Sequence, residues 1–194
     1  SRRGRLHHRQ AHQVGVVLVT TLIALIQCRD NSTRCPNKAT ADVNGMPLIE
    51  HIYRRLQKVG SLDGVVVSTS LNSHNIIDLC DEKGWKRWAG SEEDLLARHL
   101  GAAMTYDADA ILRITGDCVF HDPSILDGAV SVWKNSARNA DAMISWHHSY
   151  RTLSEGLDFE IISLKCMRQL ILDPNCLRED WLTFLDRSTK YKVM

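Results

Sequence analysis

From Thr21 onward the chain alternates short, unbroken apolar runs with amphipathic segments, and this alternation restricts the fold more than any other feature. The runs "TLIALIQ" (21–27), "GVVVSTS" (64–70), "AILRITGD" (110–117), "DAMISW" (141–146) and "LDFEIIS" (157–163) end in polar residues. Such runs read as strands covered on both faces. Between them, "PLIEHIYRRLQKV" (47–59) places Leu48, Ile52, Leu56 and Val59 on one helical stripe, with Pro47 in the first turn. "SHNIIDLCDEKG" (73–84) predicts a helix starting near Ser73 and closed by Gly84, and "EEDLLARHLGAAMTY" (92–106) one opened by acids. "PSILDGAVSVWKN" (123–135), "LKCMRQLIL" (164–172) and "REDWLTFLDR" (178–187) read as further helices. Strand-helix alternation of this kind predicts an α/β fold: a Rossmann-like, mostly parallel sheet with helices on both faces.

The chain has 194 residues and only 4 prolines, with no low-complexity linker, so one domain over residues 19–194 is expected. Residues 1–12, "SRRGRLHHRQAH", are basic without an acid; residues 1–18 are read as a flexible basic extension, and Val19 as the start of the domain. The formal net charge is +1, so overall charge gives no reason to expect a nucleic-acid or membrane partner. The apolar stretch 14–26 is shorter than a spanning helix needs, and no small residue precedes Cys28 as an export signal would require. The 6 cysteines contain no C-x-x-C pair, which suits free thiols in a reducing cytoplasm.

In an open α/β sheet, ligands bind beyond the carboxyl ends of the strands, so the residues that follow the strands carry the chemistry. After the first strand comes "QCRDNSTRCPNK", with Arg29, Arg34 and Lys38 interleaved with Asn31, Ser32 and Thr33. Cations and hydroxyls spaced this way can surround one polyanion; the same composition also describes a solvated basic loop. Neither G-x-x-x-x-G-K-[ST] nor G-x-G-x-x-G occurs. After the third strand, Asp117 follows Gly116, where a carboxylate can hold a hard cation or simply close a turn. Asp158, at the start of the fifth strand, could share such a cation with it. His147 and His148 read as surface residues, and His121 and Asp122 as flanking the helix after Pro123.

These stretches, taken in order, resemble one family. "IQCRDNSTRCPNK" resembles the Q-A-R-x-x-S-x-R-L-P-G-K signature of cytidylyltransferases of the spore-coat polysaccharide biosynthesis type, relatives of the CMP-sialate and CMP-KDO synthetases. "GMPLIEHIYRRL", "VVVSTS", "GSEEDLLARHLGAA", "ADAILRITGDCVFHDPSILD", "EGLDFE" and "LREDWLTFLD" follow, so the likeness spans roughly residues 20–187. It implies a fold of the nucleotide-diphospho-sugar transferase (GT-A) type and transfer of CMP from CTP, or another NTP, to a small sugar-type acceptor, with release of pyrophosphate. It further implies Mg²⁺ (or Mn²⁺), surface-polysaccharide synthesis in the cytoplasm, and a homodimer as the usual assembly.

Carried over by residue, the resemblance assigns Arg29, Arg34 and Lys38 to the triphosphate and Asp117 and Asp158 to the metal. Gln27, Ser32, Thr69, Ser70, Ser91 and Arg98 fall at nucleotide-binding positions, and Arg178 and Glu179 on the acceptor side. Asp94 and Arg98 form a D-x-x-x-R spacing that fits either a ligand-binding role or a helix-anchoring ion pair. The chain departs from the family at Asn37, where glycine is usual, at Val119, where proline is, and over residues 178–183, where Arg-Glu-His-Val-Thr becomes Arg-Glu-Asp-Trp-Leu-Thr, losing a histidine and gaining Trp181. It also ends at "KYKVM", ahead of the family's usual closing strand, so a shortened C-terminus is expected. Two other readings fit the same residues. A glycosyltransferase of the GT-A fold would use a nucleotide-sugar, but the D-x-D expected at Asp117 is absent. A catalytically weak nucleotide-binding remnant is the other.

Overall fold

Strand β1 (Leu22–Gln27) occupies the middle of the sheet, and its near-total burial explains the unbroken apolar run. The computed structural model describes residues 20–31, 35–136, 140–147, 150–151 and 153–194. After β1 come a short 3₁₀ turn (Lys38–Thr40), a hairpin of β2 (Asp42–Val43) and β3 (Met46–Pro47), and helix α1 (Leu48–Leu56). Strand β4 (Gly64–Ser70), α2 (His74–Lys83), β5 (Arg87–Gly90), α3 (Leu95–Thr105), β6 (Ala110–Thr115) and α4 (Pro123–Ser136) follow. The chain then forms β7 (Ala142–Ile144), a small hairpin of β8 (Trp146–His147) and β9 (Tyr150–Arg151), β10 (Glu160–Ser163), α5 (Leu164–Leu170) and α6 (Trp181–Arg187).

The main sheet runs β5-β4-β1-β6-β10-β7. β5, β4, β1 and β6 pair in parallel, while β10 is antiparallel to both β6 and β7. The sheet is thus mostly parallel, as the alternation predicts. Strand β5 lies in "WKRWAG", a stretch with too few apolar residues to mark it as a strand.

Alternate residues of each strand serve two cores. Ala24, Ile26, Val67, Leu112 and Ile161 pack with Ile49 and Ile52 of α1, Ile76 of α2 and Leu126 of α4. Ile23, Leu25, Val66, Ile111 and Ile162 pack with Leu96 of α3, Met167 of α5 and Trp181 of α6. Helices therefore cover both faces. Their ends follow local chemistry: Gly84 closes α2 at φ 67°, and the Asp94 carboxylate caps α3 by accepting from the Ala97 N–H at 2.8 Å. At the C-terminus Lys192–Met194 runs along β7, with a parallel bridge between Ala142 and Val193. Residues 1–19, with the expected extension, lie outside the described residues. No described helix is long and apolar enough to cross a membrane.

Candidate active site

The loop after β1 is tied down through Asp30, which is buried. Its N–H donates to Ser73 Oγ at 3.1 Å, and its Oδ2 accepts from the Asn75 N–H at 2.9 Å, in the first turn of α2. The Asn37 N–H donates back to the Asp30 carbonyl at 2.9 Å and closes the loop. Asn37 itself has φ 55° and ψ 21°, the left-handed region, where asparagine replaces glycine at the lowest cost among side-chain-bearing residues. Its Oδ1 accepts from Asn75 Nδ2 at 3.2 Å, so the turn survives the substitution.

The end of β6 meets this loop across a very short gap. The Gly116 N–H donates to the Gln27 carbonyl at 2.7 Å, and a Cβ on Gly116 would stand 2.7 Å from Cys28 Cβ. Only glycine permits this approach, which puts Asp117 next to the loop: Lys38 Nζ lies 2.5 Å from Asp117 Oδ2. Partial burial alone would raise the Asp117 pKa, but hydrogen bonds from Lys38 and Thr115 outweigh it and hold the carboxyl below its ordinary range.

A cavity of about 350 Å³ opens at these strand ends. Gln27, Arg29, Lys38, Arg98, Arg113, Asp117, Glu92 and Glu179 line it, with Cys28, Leu95, Thr115 and Gly116 between them. Of the residues singled out from sequence, the structure therefore gathers Gln27, Arg29, Lys38, Arg98, Asp117 and Glu179 on one cavity. Ser32 and Arg34 lie outside the described residues. Thr69 and Ser70 do not line the cavity: both are buried, with the Ser70 hydroxyl 2.8 Å from Ser73 Oγ. They are the last two residues of β4 itself, paired with Ala89 and Gly90 of β5, and so belong to the sheet and not to a loop beyond it. Ser91 is exposed; its hydroxyl accepts from the Asp94 N–H and its carbonyl from Arg98 Nη1, both at 2.9 Å. Arg178 turns inward and donates through Nη2 to the Ile171 carbonyl.

The D-x-x-x-R spacing makes no ion pair. Asp94 caps its helix, and among the described residues no carboxylate pairs with Arg98, which is 3% exposed with Nε unpartnered. Burial lowers the Arg98 pKa and Arg29 and Arg113 add to the fall, while Cys28 and Glu92 act the other way without reversing it. A buried guanidinium that bonds no carboxylate among the described residues, on the wall of a cavity, is suited to an incoming anion.

Asp158 lies off the cavity lining. Its Oδ2 accepts from Arg151 Nη1 at 2.5 Å, its Oδ1 is buried without a partner, and its carbonyl lies 3.1 Å from His121 Nε2. His121 Nδ1 lies 2.9 Å from the Cys118 carbonyl, so the ring ties the segment after β6 to the segment before β10. Burial raises the Cys118 thiol pKa, the Thr115 hydrogen bond opposes it, and Asp117 and Asp158 both add to the rise. No cluster of three or more His, Cys, Asp or Glu forms among the described residues. The donors present are hard carboxylate oxygens, one of them orphaned, and they fit a hard divalent cation whose other ligands come from substrate and water.

Sequence reading missed Arg113. It is the one charged residue inside the run "AILRIT", and it shares a strand face with Thr115, two residues ahead of Asp117, a signal available from the period of two alone. Burial pushes the Cys28 thiol pKa up, with Cys80 adding to it, so the cysteine on the lining is no thiolate.

The profile of a protein family described as cytidylyltransferase matches residues 23–162. A 3-deoxy-manno-octulosonate cytidylyltransferase of Geobacter metallireducens is 30% identical over 112 residues, 57% of this chain and 43% of that protein. The spore coat polysaccharide biosynthesis protein SpsF of Bacillus subtilis is 30% identical over 112 residues, 55% of this chain and 47% of that protein. The matches thus span less than half the length of these curated relatives. A cytidylyltransferase structure from Leptospira borgpetersenii superposes with a TM-score of 0.81 at 30% identity, covering 90% of this chain and 74% of that one. The family profile spans the sheet from β1 to β10 and takes in Arg29, Lys38, Arg98, Arg113 and Asp117, and the chain belongs to the cytidylyltransferase family.

Proposed function

We propose that the protein transfers CMP from CTP to a small anionic sugar-type acceptor and releases pyrophosphate, as a step in surface-glycan synthesis. The observation that carries this reading is the joining of Arg29, Lys38 and Asp117 on one cavity at the carboxyl ends of β1 and β6, within a cytidylyltransferase chain. In such a transfer an acceptor oxygen attacks the α-phosphorus in line, and the α–β bridging bond breaks with its electron pair leaving on pyrophosphate. Negative charge grows on the leaving side. Arg29 and Lys38 meet that charge as fixed cations and favour the transition state over the ground state, and the resemblance assigns Arg34, outside the described residues, to the same triphosphate. Asp30 and Asn37 hold the loop so that these cations are in place before the substrate arrives. No protein nucleophile is required.

Asp117 and Asp158 would hold Mg²⁺ or Mn²⁺, which when bound supplies charge neutralisation at the phosphate oxygens. A screen of nucleotides against acceptors for pyrophosphate release, with Mg²⁺ present, tests the assignment. CTP with a sugar-acid acceptor is expected to give pyrophosphate in equal amount to a CMP-linked product. Release of a nucleoside diphosphate from a nucleotide-sugar would place the protein with the glycosyltransferases instead.

A further inference from the structure

Behind the phosphate loop, the same cavity, which Glu92 and Glu179 also line, has one stretch of wall where Gln27 and Arg113 stand side by side. Gln27, Arg113 and Glu160 sit on adjacent strands β1, β6 and β10, on the face that carries Leu25, Ile111 and Ile162 below them. Glu160 stands directly opposite Arg113 in the ladder. Arg113 Nε donates to Gln27 Oε1 at 2.6 Å, Arg113 Nη1 to Glu160 Oε2 at 2.7 Å, and Trp146 Nε1 to Glu160 Oε1 at 2.6 Å.

Every link in this chain has a fixed sense. Indole and guanidinium can only donate, and an ionised carboxylate can only accept. Glu160, 2% exposed, therefore has each oxygen engaged, and Arg113 is locked in its plane. Because Arg113 can offer Gln27 nothing but N–H, the amide must turn its oxygen toward Arg113, which leaves its NH₂ as the free end. Arg113 Nη2 and Gln27 Nε2 have no hydrogen-bond partner among the described residues, and both residues line the cavity.

Glu160 neutralises Arg113, so the pair by itself carries no net charge. Further positive charge comes from Arg98, which lines the same cavity, bonds no carboxylate among the described residues and feels both Glu92 and Arg113 electrostatically. An array of NH groups beside a buried, unpaired guanidinium complements a planar anion with two oxygens. The triphosphate cations Arg29 and Lys38 lie on the loop side, whereas this array lies toward β10.

We propose that Arg113 and Gln27, charged by Arg98, form the seat for the carboxylate of the acceptor, and that Glu160 and Trp146 are positioning residues that fix its polarity. The proposal rests on the reading of the cavity as a nucleotidyl-transfer site. The test is calorimetry with 3-deoxy-manno-octulosonate and with its uncharged carboxamide as probes, in the presence of CTP, alongside separate titration of CTP. The wild-type chain is expected to prefer the acid. Gln27→Glu is isosteric and keeps the Arg113 contact but turns an oxygen toward the ligand; it should bind the acid roughly ten- to a hundred-fold more weakly. Arg113→Lys and Glu160→Gln should narrow the preference for acid over amide. Gln27, which the resemblance puts at a nucleotide-binding position, is assigned here to the acceptor, so Gln27→Glu should keep its unfolding midpoint and weaken CTP binding by a smaller factor than acid binding.

Equal binding of acid and amide by the wild-type chain, or acid binding by Gln27→Glu as tight as wild type, overturns the seat. A fall in CTP affinity in Gln27→Glu as large as the fall for the acid also overturns it, because the array would then belong to the nucleotide. Loss of CTP binding in the wild-type chain itself, by contrast, refutes the nucleotidyl-transfer reading.

Discussion

Replacing Gly116 by alanine tests how the site is assembled. The added Cβ would lie 2.7 Å from Cys28 Cβ and 3.0 Å from the Gln27 carbonyl oxygen. Neither atom can rotate away, since one is backbone and the other is fixed by it. Carbon pairs settle near 3.5–4.0 Å, so the ends of β1 and β6 must part by roughly 1 Å. That movement would stretch the 2.7 Å hydrogen bond from the Gly116 N–H to the Gln27 carbonyl beyond a useful length. Overpacking together with the lost bond should cost about 2–4 kcal/mol in stability. The same movement shifts Asp117 relative to Arg29 and Lys38, and a misplacement of about 1 Å costs about a hundred-fold in rate. Urea unfolding and pyrophosphate release, measured side by side, read both effects. Gly128→Ala, in α4 with open space around its Cβ position, is the control and should be neutral or slightly stabilising. A Gly116→Ala protein with wild-type midpoint and wild-type rate would refute the claim that this close approach builds the site.

Asn37→Val forces a β-branched residue into the left-handed region and should lower stability by about 1–2 kcal/mol, whereas Asn37→Gly should be close to neutral; urea midpoints decide. Asp117→Asn and Arg34→Ala should each keep the far-ultraviolet dichroism of the wild type and lose CMP transfer. Asp63 accepts from the Leu22 N–H and from Lys134, both at 2.7 Å; burial alone would raise its pKa, but these bonds hold it below the ordinary value. A depressed carboxylate stabilises the fold above its unfolded pKa and stops doing so as pH falls through the folded one. The gap in urea midpoint between wild type and Asp63→Asn should therefore be widest near about pH 7 and close below about pH 3.

Much of this was legible from residue order. The buried strands declared themselves because a central parallel strand needs apolar side chains on both faces, and "GVVVSTS" coincides with β4 residue for residue. Arg29, Lys38 and Asp117 were found because strand ends in such a sheet converge on one side. Thr69 and Ser70 followed the same rule but are buried, Ser70 against the Ser73 hydroxyl at the start of α2, a contact that strand periodicity does not announce. The role of Arg98 was undecidable from sequence: D-x-x-x-R fits an ion pair or a cap, and only coordinates show Asp94 spent on the Ala97 N–H. Arg113 was hidden in an apolar run, and its meaning depends on Glu160, a partner 47 residues away on an antiparallel strand. Local periodicity cannot supply such a pairing.

The central claim, CMP transfer at the Arg29–Lys38–Asp117 cavity, is tested most directly with CTP carrying distinguishable labels on its α- and γ-phosphorus. The account predicts the α label in a sugar-acid conjugate and the γ label in pyrophosphate, both lost in Asp117→Asn while the fold is kept. A γ label released as orthophosphate, or full transfer by Asp117→Asn, would contradict it.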